Sequence, residues 1–328
     1  MLNVSHDLCQ FASLLVFSIP NDVFWPYFAG AATLVIGLAT SIKNRIGQAS
    51  GIDKFIVFGP LSFAIGMAIF GADHFVAAKF VAMIVPSWIP GHLFWAYFVG
   101  FALIAAALSL ATSIRWRLAA ALLGIMIFIF VLTIHIPNLF AAPHDKTRLT
   151  ILLRDLSLSA GALAFAALQT GADFSLQSFR SKLITLARFV IAISIAVFGV
   201  DHFLDPTFAP GFPQEGTAII TMPTWIPGHA FWAYLTGAIF IGCALGLMSR
   251  RYARLAATIL GITVLILILF VYIPLTIAKA SDVANGLNYL AIHFALAGAA
   301  FFLAEALPAA IAEPVAVPEI QRSSVRQV

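Results

Sequence analysis

Nine runs of about twenty mostly apolar residues, at 23–42, 54–73, 93–113, 117–137, 149–168, 184–202, 230–249, 253–273 and 288–307, leave this chain little choice of fold. Wound as α-helix, each is long enough to cross the hydrocarbon core of a bilayer, roughly 30 Å thick. The runs are broken by charged or turn-forming stretches: KNR at 43–45, RWR at 115–117, AAPHDK at 141–146 and RR at 250–251. They are continuous and lack the alternating polar face of a membrane β-strand, so a barrel is a poor alternative. Composition agrees, because 62% of the 328 residues are hydrophobic and 10% charged, against about 25% charged in soluble domains. A secreted enzyme, a cytosolic dehydrogenase and a nucleic-acid-binding domain are excluded. The expected class is an all-α polytopic membrane protein, with the lipid bilayer as its first partner.

The sparse charges orient it. With the N-terminus outside, 13 Lys and Arg fall on the cytoplasmic side and 5 on the other, as the positive-inside rule requires. The expected location is the plasma (inner) membrane in a bacterium, with the C-terminus cytoplasmic. All eight histidines (His6, His74, His92, His135, His144, His202, His229 and His293) then lie at outer helix ends or in outer loops. Charge bias does not explain that. No signal peptide is read, and 8–19 is expected at the interface. The two cysteines, Cys9 and Cys243, form no CxxC, which argues against disulfide exchange.

The chain repeats itself. PSWIPGHLFWAYFVG at 86–100 returns as PTWIPGHAFWAYLTG at 223–237, an offset of 137 that also aligns Arg117 with Arg254 and Ile136-Pro137 with Ile273-Pro274. FGADHF at 70–75 matches FGVDHF at 198–203 with an offset of 128, so the second copy has nine extra residues in its first outer loop. Each copy holds four helices, an even number, so the two are expected to be parallel and related about the membrane normal. The expected organisation is an interfacial segment and extra helix (1–46), two tandem parallel four-helix bundles (47–172 and 173–308) and a flexible cytoplasmic tail (309–328).

Trp88, Trp95, Tyr97, Trp225, Trp232 and Tyr234 suit the headgroup boundary. Asp73 and Asp201 sit at helix C-termini, against the negative end of the dipole. Each needs an electropositive neighbour, and His92 and His229 are the candidates within their copies. Arg154 is another, but its counterpart is Ala291. The candidate outer-face site comprises Asp73, His74, His92, His135, Arg154 and Asp155 in the first copy. The second offers Asp201, His202, His229, Tyr272 and His293, with Tyr272 in place of His135. His74, His92, His135, His202, His229 and His293 are candidate ligands for a transition metal, and a histidine pair could hold haem. The same groups could relay protons at a quinone or lipid-headgroup site, or merely clamp helices.

The arrangement of DHF closing one helix and P-x-WIPGH-x-FWAY-x-x-G opening the next resembles the DoxX-like family of integral membrane proteins. The likeness rests on Asp73, His74, Phe75, Trp88, Pro90, Trp95, Tyr97 and Gly100 and their counterparts Asp201, His202, Phe203, Trp225, Pro227, Trp232, Tyr234 and Gly237. The family includes a membrane subunit of a thiosulfate:quinone oxidoreductase, and most members have no assigned activity. The resemblance implies a redox-associated membrane protein working with quinone, metal or haem at the outer face, and a soluble or membrane redox partner there. A transporter and a non-catalytic assembly subunit are the alternatives, and whether the chain is an enzyme stays open.

Overall fold

The computed structural model describes residues 21–168, 176–212, 221–278 and 286–308. The segment expected at the interface, the tail from 309, and His6, Cys9, Glu215 and Asp282 lie outside the described residues. Among the described residues nine helices are long and apolar enough to cross a membrane. They are α1 (Asp22–Ile42), α2 (Asp53–Val76), α3 (His92–Thr112), α4 (Trp116–Ala141), α5 (Lys146–Ala166), α6 (Gln177–Leu204), α7 (His229–Met248), α8 (Ala253–Ala278) and α9 (Asn288–Ala306). The protein is an all-α integral membrane protein.

Local chemistry sets the helix ends, and it does so identically in the two copies. The WIPGH motif places Gly91 and Gly228 at φ +73° and +70° immediately before α3 and α7, a conformation that costs a glycine nothing. The indole Nε1 of Trp95 donates to Pro90 O, and that of Trp232 to Pro227 O, each at 3.1 Å. At the other end, Arg117 donates to Ala166 O and Leu168 O past α5. Arg254 reaches Ala304 O and Leu307 O past α9, both at 2.9 Å. The repeated arginine thus caps the last helix of its own copy, where the free carbonyls and the dipole favour a cation.

Helices α4 and α8 outrun the apolar runs that announce them, which end at 137 and 273. The Ile-Pro pair does not stop either one. Instead the backbone widens for a turn before it, over Val131–His135 and Ile268–Tyr272. Ile136 N–H bonds Val131 O, and Ile273 N–H bonds Ile268 O, five residues back. A proline lacks a donor and crowds the preceding turn, and a single wide turn absorbs that conflict while re-aiming the side chains within it. His135 and Tyr272 are the last residues of those turns.

The two copies interlock instead of forming separate bundles. Neighbours in sequence pack in pairs, α2 with α3, α4 with α5, α6 with α7 and α8 with α9, but α9 also packs on α2 and α5 on α6. Helices α5 and α9 cross at the centre, and α1 lies against α2. The first copy's core of Phe63, Leu123, Leu158 and Phe165 is completed by Ala295, Ala299 and Phe302 of α9. The second copy's core takes Leu153, Ala160 and Ala164 from α5. Phe165 stacks on Phe302 with ring centroids 3.9 Å apart. Between helices in lipid, close packing and hydrogen bonds replace the hydrophobic drive. Ser62 donates to Phe294 O (2.8 Å), Ser159 to Gly124 O (2.8 Å) and Ser194 to Leu153 O (3.2 Å), each across a helix interface.

Candidate functional site

The first copy carries an ionisable cluster at α4 and α5. His135 Nε2 meets Asp155 Oδ2 at 2.8 Å, and Arg154 Nε donates to Asp155 Oδ1 at 2.7 Å. Their side chains are 15%, 14% and 15% exposed, so the cluster is largely withdrawn from solvent. Asp145 caps α5 through the amides of Thr147 (2.9 Å) and Arg148 (3.4 Å), starting the helix three residues before the apolar run at 149. Asp155 is therefore the tenth of the 21 residues of α5, roughly 14 Å along it at 1.5 Å per residue. Ionisable groups inside a membrane helix are costly unless paired.

In the second copy the same positions hold Tyr272, Ile292 and Ala291, and the nine extra residues change this end of the bundle altogether. Their loop sends Pro210, Gly211 and Phe212 inward as a plug. Tyr272 OH donates to Pro210 O at 2.9 Å. Gly211 N–H donates to His202 Nε2 at 2.8 Å, and Phe212 N–H to His293 Nε2 at 3.2 Å. The opposite ring nitrogens are also engaged, with Nδ1 of His202 on Phe198 O and Nδ1 of His293 on Tyr289 O, both at 2.6 Å. A ring that accepts at Nε2 must carry its proton on Nδ1, so both imidazoles are neutral and fully bonded. Tyr272 stacks on His293 with centroids 3.7 Å apart. Pro210, Gly211 and Phe212 are the residues that the sequence reading missed. The length difference between copies marked the insertion but not its inward course.

The remaining candidates do not converge. His74 Nδ1 donates to Phe70 O at 2.7 Å, the counterpart of the His202 bond, which holds the ring along its own helix. His135 joins Asp155 and not His74 or His92. Among the described residues no group of three His, Cys, Asp or Glu could hold a metal ion. The expected pairing of Asp73 with His92 and of Asp201 with His229 is not formed. Asp73 Oδ1 is buried without a partner. Asp201 faces Lys146 Nζ at 3.9 Å, and that lysine also reaches Asp205 at 3.3 Å. His229 Nε2 lies 3.2 Å from Pro223 O, and donates to it. Trp88 and Trp225 are exposed in the turns before α3 and α7.

A family model described as a domain of unknown function (DUF8561) matches residues 63–169. That stretch runs from α2 through α5 and includes His135, Arg154 and Asp155. No curated protein and no solved structure matches the chain.

Proposed function

We propose that this chain is a proton-exchanging, redox-associated membrane protein, in which His135 gives a proton to, or takes one from, a quinone-class substrate. The observation that carries the reading is the buried His135–Asp155–Arg154 cluster midway along α5. Arg154 and Asp155 offset each other's charge, and His135 is the member of the cluster whose side-chain type serves proton exchange. Quinone reduction and quinol oxidation both move protons with electrons inside the membrane, and a buried histidine beside a fixed carboxylate serves such a step. The DoxX-like resemblance supports the redox half of the reading, with electrons exchanged through a partner at the outer face. Haem or a transition metal has weaker support, because the rings of His202 and His293 have no free nitrogen. The charge distribution supports a plasma-membrane protein with its N-terminus outside.

Organic extraction of the purified protein is expected to release a quinone, and the His135→Gln variant to lose it while eluting as wild type on gel filtration. A wild-type extract without quinone, from protein with no haem absorbance and no stoichiometric metal, would remove the redox reading.

The depth of the cluster also favours a second reading, a proton-coupled transporter, since transporters place ionisable groups near the membrane midplane. Selective, proton-dependent solute uptake into liposomes, abolished by Asp155→Asn, would select it.

A further inference from the structure

Among the described residues Arg188 has no ion-pair partner, and its guanidinium lies 4.9 Å from the centre of the Phe189 ring. Arg188 lies on α6 towards the end where α7 turns into α8, is 6% exposed, and its Nε has no hydrogen-bond partner. The ion pairs at this end of the molecule, Arg45–Glu305 at 2.5 Å and Arg254–Asp53 at 3.1 Å, involve other arginines. Helix register brings the turn that carries Arg250 towards Arg188. Gly199 of α6 packs on Gly237 of the antiparallel α7. Eleven residues back from Gly199 is Arg188, and eleven forward from Gly237 is Met248, at the mouth of the turn that carries Arg250. Arg180, two helical turns earlier on α6, likewise has a buried and unpartnered Nη1.

A buried guanidinium with no counter-charge, close to a turn that carries a second arginine, is unfavourable unless an anion joins them. The planar forks of arginine match tetrahedral oxyanions, phosphate above all. The feature belongs to one copy only, because the equivalents of Arg188 and Arg250 are Pro60 and Ser113. It is therefore not a requirement of the repeated fold.

We propose that a phosphate group binds between α6 and the α7–α8 turn, held by Arg188 and Arg250 with Arg180 adding to the field. On the orientation proposed above, the site lies at the cytoplasmic leaflet, where anionic headgroups meet basic pockets between helices. The phosphate comes either from such a lipid or from solution.

The test uses the full chain in nanodiscs of phosphatidylcholine, with and without phosphatidylglycerol, and separately with inorganic phosphate. The readouts are phosphatidylglycerol retained after detergent extraction, by native mass spectrometry, and the thermal unfolding midpoint. Wild type is expected to retain the anionic lipid, and Arg188→Gln and Arg250→Gln each to lower its affinity at least about tenfold, as loss of a charge-assisted contact should. Retention and a raised midpoint with phosphatidylglycerol alone identify the lipid as the source. A rise with inorganic phosphate alone, absent in Arg188→Gln, identifies free phosphate. Should Arg188→Gln fail to fold, Arg250→Gln, on the exposed turn, carries the test by itself. Variants that retain the lipid and respond to phosphate as wild type does would overturn the proposal.

Discussion

His135 on α4 and Asp155 on α5 are joined at 2.8 Å about halfway along α5, with Arg154 on the other carboxylate oxygen. Two sequence features create this pair. The wide turn before Pro137 carries His135 at its end, and the Asp145 cap sets where α5 begins. Asp155 is the hub, since it bonds both other side chains.

Removing the hub should cost most. Asp155→Ala leaves Arg154 and His135 buried beside each other and is expected to destabilise by about 3–5 kcal/mol. His135→Gln removes one hydrogen bond and should cost roughly 1–3 kcal/mol. The double variant Arg154→Leu, Asp155→Leu should recover much of the loss seen with Asp155→Leu alone. Thermal unfolding of the four proteins in one detergent checks the order.

The plug tolerates no side chain at Gly211. Its φ is +130°, and a Cβ there would lie 2.1 Å from His293 Nε2. Gly211→Ala should therefore expel residues 210–212, costing about 1–3 kcal/mol in backbone strain alone and exposing 205–212 to protease. Gly242→Ala, where a Cβ meets nothing within 4 Å, is the control.

Acid should loosen the same plug. His202 and His293 each accept a backbone N–H at Nε2, and a proton there would set donor against donor. The hold is present while the rings are neutral and is lost as pH falls. Amide exchange at Gly211 and Phe212, corrected for its intrinsic pH dependence, should accelerate on acidification. No acceleration would count against this account of the loop.

Neither copy should fold alone. Residues 47–172 expressed by themselves lack Ala295, Ala299 and Phe302, which close their core, and are expected to aggregate in detergent. Co-expression with 173–308 should restore a monodisperse complex on gel filtration.

The repeated arginines should both matter. Arg117→Gln removes the bonds to Ala166 O and Leu168 O, and Arg254→Gln removes those to Ala304 O and Leu307 O together with the 3.1 Å pair to Asp53. Each should cost about 1.5–3 kcal/mol for its charged hydrogen bonds, read by thermal unfolding.

Much of the architecture was legible because hydropathy, turn residues and repetition act locally. Apolar runs of span length admit only helices, since no water satisfies a backbone within lipid. Gly91 and Gly228 mark their turns because few other residues adopt that φ. Local signals misplaced two helix ends, however, where a cap or a proline let the helix run further, as at Asp145 and Pro137. They also paired the wrong groups. His92 is nearer to Asp73 in sequence than Asp155 is to most histidines, but side-chain contacts follow helix faces and register.

The sequence by itself determined that the chain is helical, lives in lipid, and is built twice from one four-helix unit. Only the tertiary structure decided that the two units share α5 and α9, that His135 belongs to Asp155, and that the second copy sets Pro210, Gly211 and Phe212 against Tyr272, His202 and His293. The physical reason is that spans and turns depend on residues within a few helical turns. A buried cluster depends on which faces meet, and small residues such as Gly161 against Ala299 settle that across well over a hundred positions of sequence.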